Sequence, residues 1–184
     1  RALAASLVRE LVDTAVRGSD GTATWFAPIL DRDGWQTTPL TPDLYGGTLG
    51  VAVLLAAYDR EVRLGRADHV PGVDVVLANV VQTARLTQRW WAEQATHTKR
   101  RPGPVGGYIG LGSQIWSWLT LHDLGQDTVD DALFLTSQLS AAIDASEGPD
   151  IVVGTAGLIV PLLKLARTNP SWLEVALRVG DQLA

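Results

Sequence analysis

The sequence predicts an all-α fold, an arc of an α/α toroid, with one small β-hairpin near its beginning. Apolar helices that open with glycines occur three times, and amphipathic helices separate them at a spacing of roughly 45 to 60 residues, which is typical of repeat architectures. A helix that is apolar on most faces must be enclosed, whereas a helix with one apolar stripe covers a neighbour. An inner ring of apolar helices inside an outer ring of amphipathic helices meets both requirements. Three hairpins complete only part of such a ring and leave an open apolar edge.

Residues 1–42 are expected to form an opening helix and a β-hairpin. Apolar residues at helical spacing predict the helix over Ala2–Val16, with Gly18 as its stop. The segments TATWFAPIL and WQTTPL are rich in β-branched and aromatic residues, and the DRDG between them suits a tight turn. The predicted apolar stripe of the helix consists of Leu3, Leu7, Val8, Leu11, Val12 and Ala15.

Residues 43–184 are expected to carry the helical repeats. Glycine-led apolar helices are predicted to open at Asp43, at Gly106 and after Asp150, amphipathic helices at about 72–91 and 128–145, and a last helix near Pro170. Pro161 falls inside the third apolar helix, removes one of its backbone hydrogen bonds and is expected to kink it. The predicted buried stripes of the two amphipathic helices are Val73, Val76, Leu77, Val80, Val81 and Ala84, and Val129, Ala132, Leu135, Leu139 and Ile143.

An acid and spaced glycines precede two of the apolar helices in the same layout. Glycine permits close backbone approach where the first turns of inner helices converge. An Asp just ahead of a helix can cap its free N–H groups. The starts of these helices ring one mouth of the toroid, so a functional site is expected there. The corresponding residues are Asp43, Gly47, Thr48 and Gly50 in DLYGGTLG, and Asp150, Gly154, Thr155 and Gly157 in DIVVGTAG.

The composition limits the functions that the chain can have. Its 184 residues suffice for about one domain with a real core, and its net charge of −5 argues against nucleic acid as a partner. The chain contains no cysteine, which excludes disulfides and a thiolate zinc site formed by this chain alone. Its apolar runs are shorter than the roughly 18 residues that a membrane span needs, and we expect its charged, amphipathic opening residues not to be a signal peptide. It also contains no methionine, so we expect an internal or processed piece of a longer protein.

Three motifs in order resemble a known family. DLYGGTLGVAVLLAAY, GGYIGLGSQIWSWLTL and DIVVGTAGLIVPLLKL resemble the first three inner-helix motifs of the lanthionine synthetase C-like cyclases. Upstream, AVRGSDGTATWFAPIL followed by PLTPDLYGG resembles the beginning of the cyclase domain in class II lanthipeptide synthetases. The resemblance implies that residues 1–184 are the N-terminal part of one seven-hairpin toroid and contain about three of its hairpins.

The resemblance also implies an activity. In that family, a zinc-bound cysteine thiol of a ribosomal precursor peptide adds to a dehydrated serine or threonine and forms a thioether ring. A separate dehydratase domain of the class II synthetase makes the dehydroamino acids, and the complete enzyme is expected in the bacterial cytoplasm. Zinc accelerates the addition because a coordinated thiol is deprotonated near neutral pH.

The family's zinc ligands and active-site histidine lie in later repeats, which this chain does not reach. His69, His97 and His122 match none of those positions, so the segment alone is expected to be inactive. Only Asp150 matches an active-site residue of the family, an aspartate to which proton transfer is ascribed. From the residues alone Asp150 is either a helix cap or an acid/base, and these roles are compatible. Asp43 is interpreted as a cap.

Several other features have ordinary interpretations. GGYIGLG with Ser113 lacks the lysine of a P-loop, and Ser113 lies in no nucleophile elbow, so helix packing is favoured there. Lys99–Arg101 are assigned to a solvated loop, with contact to an acidic segment of the precursor peptide as the alternative. Trp90 and Trp91 are expected to pack in the core or on a neighbouring domain, and one of Trp116 and Trp118 to line the cavity.

Two other functions compete with the cyclase. A fragment of an α/α-barrel carbohydrate enzyme would use Asp43 and Asp150 as paired carboxylates that face each other, roughly 5 to 9 Å apart. A non-catalytic helical scaffold would hold a peptide in the apolar cavity. Tryptophan–cysteine–histidine–glycine and cysteine–histidine–glycine motifs beyond Ala184 would favour the cyclase, and their absence would favour the scaffold.

Overall fold

A computed structural model of the chain describes residues 1–31, 34–97, 102–146 and 148–183. These residues are mostly helical, as predicted, and also contain two small antiparallel sheets. The helices are α1 (Ala2–Thr14), α2 (Thr48–Arg63), α3 (Val73–His97), α4 (Leu111–Asp123), α5 (Val129–Thr136), α6 (Leu139–Asp144), α7 (Ile159–Leu165) and α8 (Ser171–Asp181). The strands are β1 (Val16–Arg17), β2 (Ala23–Thr24), β3 (Phe26–Asp31) and β4 (Gly34–Pro39).

The chain forms two compact units. The first consists of Arg1–Pro42 and Gly46–Gln88, and the second of Asp43–Tyr45 and Arg89–Ala184. The short segment Asp43–Tyr45 therefore belongs to the second unit although the residues on both sides of it belong to the first. The arrangement of all the helices as an arc of a toroid stays a prediction, as does the single domain.

The opening helix is shorter than predicted, because the chain enters a strand that the sequence analysis did not predict. Helix α1 ends at Thr14, and Ala15 already has an extended backbone that leads into β1. Its buried residues are Ala5, Val8 and Val12, whereas Leu3 and Leu7 of the predicted stripe are 74% and 54% exposed. Gly18 is not a helix stop. It lies in the turn between β1 and β2, where a side chain would collide with those of Asp20 and Thr22.

The predicted hairpin is present. Strands β3 and β4 pair from Phe26 with Pro39 to Asp31 with Gly34. The turn residues 32 and 33 lie outside the described residues. The preceding small sheet is fixed to α3, because the Ala23 N–H donates to Thr83 Oγ1 at 2.9 Å and the Thr83 hydroxyl donates to the Ala23 carbonyl at 2.8 Å.

Helices α2 and α3 follow the predicted pattern but end later than expected, and α2 begins at Thr48 rather than at Asp43. Helix α2 continues past Tyr58 to Arg63, and α3 continues past Trp91 to His97. The most deeply buried residues of α2 are Leu49, Ala52, Leu55 and Ala56. All six residues of the predicted stripe on α3 are buried, so the periodicity identified its apolar face.

In the second unit, α4 packs on α5 and on α7, and α7 packs on α8. Helix α4 is enclosed on most sides, as a glycine-led apolar helix should be. The predicted helix at 128–145 is wrong, because it is broken into α5 and α6. At the break, the hydroxyls of Thr136 and Ser137 donate to the carbonyls of Leu133 and Phe134 at 2.7 and 3.0 Å. Such local bonds compete with the helical ladder.

The third apolar helix also begins differently from the prediction. A 3₁₀ turn, Thr155–Leu158, precedes the short helix α7. Pro161 has no N–H to donate to the carbonyl four residues before it, which is that of Gly157. Pro161 lies in the first turn of α7, where proline is tolerated because the N–H groups of the first turn have no partner within the helix, rather than inside a long helix. Among the described residues, no helix combines the length and the apolarity required to cross a membrane.

Candidate active site at the glycine motifs

The loops of the second and third glycine motifs lie directly against each other. The Gly107 N–H donates to the Ile151 carbonyl at 2.9 Å, and the Val105 N–H donates to the Val153 carbonyl at 3.1 Å. A Cβ atom added to Gly157 would lie 1.9 Å from the Gly107 nitrogen. One added to Gly106 would lie 2.0 Å from the Val152 carbonyl oxygen. The expectation that these glycines permit close backbone approach is confirmed for these two motifs.

Asp43 is not the cap of the helix that follows it. Helix α2 begins without a side-chain cap, and the Asp43 carboxylate is buried at the start of α4 instead. Asp43 Oδ1 accepts hydrogen bonds from the Gly110 N–H at 2.7 Å and from the Gln114 amide at 3.2 Å. The Ser113 hydroxyl lies 3.4 Å from the same oxygen and donates to the Gly110 carbonyl at 2.8 Å. The first motif therefore supplies the carboxylate at the N-terminus of the second motif's helix.

The second motif has no acid of its own for a steric reason. In GGYIGLGS, Gly106 stands at the position that Asp43 and Asp150 occupy in the other two motifs. A side chain at Gly106 would overlap the backbone of Val152. The position that provides an acid in the other motifs is thus closed to a side chain here. The Val152 carbonyl accepts from the Tyr108 and Ile109 N–H groups, at 3.3 and 3.0 Å, where Asp150 accepts from the corresponding N–H groups of its own motif.

Equivalent positions of all three motifs are joined by main-chain hydrogen bonds. The third residues of the motifs are Tyr45, Tyr108 and Val152. The Tyr45 N–H donates to the Tyr108 carbonyl at 3.0 Å, and the Tyr108 N–H donates to the Val152 carbonyl at 3.3 Å. The three side chains are 70%, 45% and 43% exposed, respectively. These bonds place the beginnings of the three motifs side by side in sequence order.

Asp150 is exposed and holds its own loop. Its Oδ1 accepts hydrogen bonds from the Val152 N–H at 2.7 Å and from the Val153 N–H at 2.9 Å. Because the 3₁₀ turn begins only at Thr155 and has no side-chain cap, Asp150 caps the preceding turn rather than a helix. Both bonds use one oxygen, so the other oxygen of the carboxylate is left outside this pair of bonds. The role of Asp150 as a helix cap is therefore wrong, and its acid/base role stays a prediction.

Asp43 and Asp150 are both in the second unit, yet their carboxylates have different partners. Asp43 binds the start of α4, whereas Asp150 binds the backbone of its own turn. The sequence analysis missed Gln114 and gave Ser113 only a packing role. No local pattern could have indicated the role of Gln114, because it lies 71 positions from its partner Asp43.

Among the described residues, no group of side chains is arranged as a metal site. The chain has no cysteine, and no three histidine, aspartate or glutamate residues in the described part of the chain are placed to hold a metal ion. His69 lies in a loop of the first unit and lines an open cleft of about 200 Å³. His122 lies in the last turn of α4. The other residues that line the cleft are Tyr58, Asp59, Val62, Val70, Val73 and Asp74.

The two tryptophans of α4 have different environments, as their spacing predicts. Trp118 is fully buried, whereas Trp116 is half-buried beneath Lys164 of α7, whose Nζ lies 5.7 Å from the ring centroid. The same Nζ donates to Thr120 Oγ1 at 3.0 Å and pairs with Asp123 at 2.8 Å. This cluster joins α7 to α4. Trp90 and Trp91 are 54% and 40% exposed, and Lys99–Arg101 lie outside the described residues.

Comparison with known proteins adds no assignment, because no family model and no curated protein matches this chain.

Proposed function

We propose that this chain is the N-terminal part of the cyclase domain of a class II lanthionine synthetase. The complete domain would be an α/α toroid that adds peptide cysteine thiols to dehydroalanine or dehydrobutyrine and forms (methyl)lanthionine rings. Its substrate would be a ribosomal precursor peptide that the dehydratase domain of the same synthetase has modified, in the bacterial cytoplasm. The three motifs and their order are the basis of this proposal.

The hydrogen bonds between the three motifs support the proposal beyond what the sequence offers. The main-chain bonds from Tyr45 to Tyr108 and from Tyr108 to Val152 align the beginnings of the three motifs. An inner ring of helices requires this neighbourhood of successive motif openings, and the glycines at Gly106, Gly107 and Gly157 make it sterically possible. Motifs that merely began separate buried helices would have no reason to meet in order.

Asp150 is the residue of this chain that we assign to the chemistry. A proton must leave the thiol and a proton must reach the α-carbon during the addition, and a positioned, exposed carboxyl group can assist such a transfer. The bonds to Val152 and Val153 fix the direction of the carboxyl group. Zinc, which would deprotonate the thiol, has no ligands in this chain, and the resemblance assigns them to later repeats.

The test uses a polypeptide that carries this segment together with its downstream repeats. It is incubated with a dehydrated, cysteine-containing precursor peptide, and the loss of free thiol is followed by alkylation and mass spectrometry. Thioether formation is expected from the longer polypeptide and not from residues 1–184 alone. The proposal is wrong if the longer polypeptide leaves every thiol free, or if the isolated segment binds zinc at 1:1 and forms rings.

The role of Asp150 has its own test. Asp150→Asn should lower the cyclisation rate by about 100-fold or more, since general acid–base catalysis contributes that much. Asp144→Asn, another exposed acid of the second unit at the end of α6, is the matched control and should leave the rate unchanged. Equal rates for the two variants, with unchanged circular dichroism, would remove Asp150 from the chemistry.

The carbohydrate enzyme and the peptide-holding scaffold have less support than the cyclase. A carbohydrate enzyme would need Asp43 and Asp150 to face a glycosidic bond together. Asp43 is only 6% exposed, and its Oδ1 is engaged by Gly110 and Gln114, which gives no support to that role. A peptide-holding scaffold would bind the precursor peptide without changing its mass, and the thiol assay separates it from the cyclase.

A further inference from the structure

The β3–β4 hairpin presents one face that no other part of the described chain covers. Side chains alternate between the two faces of a strand, and the register places three cross-strand pairs on the same face. All six residues of that face are exposed. Trp35, Leu30 and Phe26 are 72%, 63% and 52% exposed. We call this surface the hairpin face, and its pairs are Leu30 with Trp35, Pro28 with Thr37, and Phe26 with Pro39.

The hairpin face is uncharged and unusually apolar for a solvated surface. Five of its six residues are apolar, and Thr37 is the exception. A two-stranded sheet is marginally stable in water unless a face packs against something. A contiguous apolar surface of this kind is comparable to the largest patch on a typical monomer, which is often functional.

The geometry points to a partner that packs on the face rather than along an edge. Pro28 lies in β3 and Pro39 lies in β4. Proline has no N–H to give to an added strand, and proline in edge strands opposes edge-to-edge pairing. A partner therefore has to cover the side chains.

The arrangement of the three pairs is complementary to itself. Pro28 with Thr37 is the central pair, and the Leu30–Trp35 and Phe26–Pro39 pairs lie two residues away on either side. A two-fold axis across the strands at the central pair would bring Trp35 of one copy onto Pro39 of the other. It would also bring Leu30 of one copy onto Phe26 of the other. Such an isologous contact is the usual form of a homodimer interface.

We propose that two copies of this chain associate through their hairpin faces. The face exposes on the order of 500 Å², since a large aromatic side chain contributes about 150–250 Å² when fully exposed. Two copies would bury roughly 1,000 Å², which is the lower limit for a specific interface. The contact would bury no charged residue of the hairpin face. The net charge of −5 on each copy nevertheless opposes association. The dimer is accordingly weak and concentration-dependent.

Sedimentation of residues 1–184 tests the association. The weight-average mass is expected to rise toward twice the monomer mass as the concentration increases from about 5 to about 500 µM, the range for an interface of this size. The double variant Leu30→Lys, Trp35→Lys should remain monomeric throughout. Ile29→Lys, on the opposite face of the same hairpin, is the matched control and should dimerise like the parent chain. Circular dichroism verifies that all three proteins are folded.

Cross-linking tests the geometry independently of affinity. The chain has no cysteine, so an introduced cysteine is its only thiol. Facing sheets lie about 10 Å apart, which is too far for a disulfide but suits a short bismaleimide. Pro28→Cys should give a covalent dimer, because residue 28 meets its own copy at the axis, whereas Ile29→Cys should not. A parent chain that stays monomeric at the highest concentration, or equal cross-linking of the two cysteine variants, overturns the proposal.

Discussion

Asp43 and Asp150 occupy the same position of a repeated motif, yet their carboxylates have different surroundings. Asp43 is buried against the start of α4, whereas Asp150 is exposed and bonded to its own turn. The sequence identified both as residues that accept backbone N–H groups, because Asp ahead of a glycine turn has that role. It did not reveal which N–H groups they accept, because the bond from Gly110 to Asp43 connects residues that are 67 positions apart.

Removal of the Asp43 carboxylate should destabilise the second unit. Asp43→Ala removes a buried acceptor from the Gly110 N–H and from the Gln114 amide, and the expected loss is about 2–4 kcal/mol of unfolding free energy. Asp150→Ala is the control, and it should cost less than about 1 kcal/mol, because water can reach the exposed N–H groups of Val152 and Val153. Urea denaturation measures both. Equal losses for the two variants would contradict a stabilising role for the buried Asp43 carboxylate at the start of α4.

The Glu61–Arg66 pair gives a second prediction at the residue scale. The Arg66 guanidinium donates to both carboxylate oxygens of Glu61 and lowers the pKa of Glu61 below its usual 4.5. The stabilisation from the pair is complete above the usual pKa of Glu61 and disappears as the pH falls through the lower pKa of the folded state. Arg66→Gln should therefore raise the pKa of Glu61 in an NMR titration. Added salt should also raise it, because both groups are exposed.

At the scale of elements, the sequence predicted which residues of a helix are buried better than it predicted where the helix ends. The stripe of α3 is buried in full, since its period follows from helical geometry alone. The break between α5 and α6 depends on whether Thr136 and Ser137 bond to nearby carbonyls or to water, which local propensity leaves open. The short strands β1 and β2 contain only two residues each, too few to show an alternation.

Because the second and third motifs are in close contact, adding one methyl group at Gly157 should strongly destabilise the protein. Gly157→Ala would place a Cβ 1.9 Å from the Gly107 nitrogen, and because backbone cannot yield as a flexible side chain does, the expected loss is about 3 kcal/mol or more. Gly180→Ala in α8 is the control. Outside the backbone of its own helix and its two neighbouring residues, no heavy atom lies within 4 Å of the added Cβ, and the better helix propensity of alanine should stabilise the protein by up to about 1 kcal/mol. Thermal and urea unfolding measure these opposite changes, and a Gly157→Ala protein of normal stability would refute the close contact.

At the scale of the whole molecule, charge governs how copies of the chain approach each other. The net charge of −5 makes two copies repel at neutral pH, while the hairpin face carries no charge of its own. Added salt should therefore strengthen the proposed self-association of the parent chain and leave the Leu30→Lys, Trp35→Lys variant monomeric. Light scattering at low and high ionic strength measures the difference. An association that weakens with salt would mean that ion pairs, rather than the hairpin face, hold the copies together.

Composition and periodicity alone determined that the chain is mostly helical, that a hairpin precedes the repeats, and that glycines at the motif openings permit close backbone contact. These properties depend on neighbouring residues, whose spacing is visible in the sequence. Only the tertiary structure decided that Asp43 serves the helix of the next motif, that Gly106 has no room for an acid, and that the hairpin face stays uncovered. Each of these depends on atoms that are distant in sequence and meet only when the backbone is folded, so no local pattern records them.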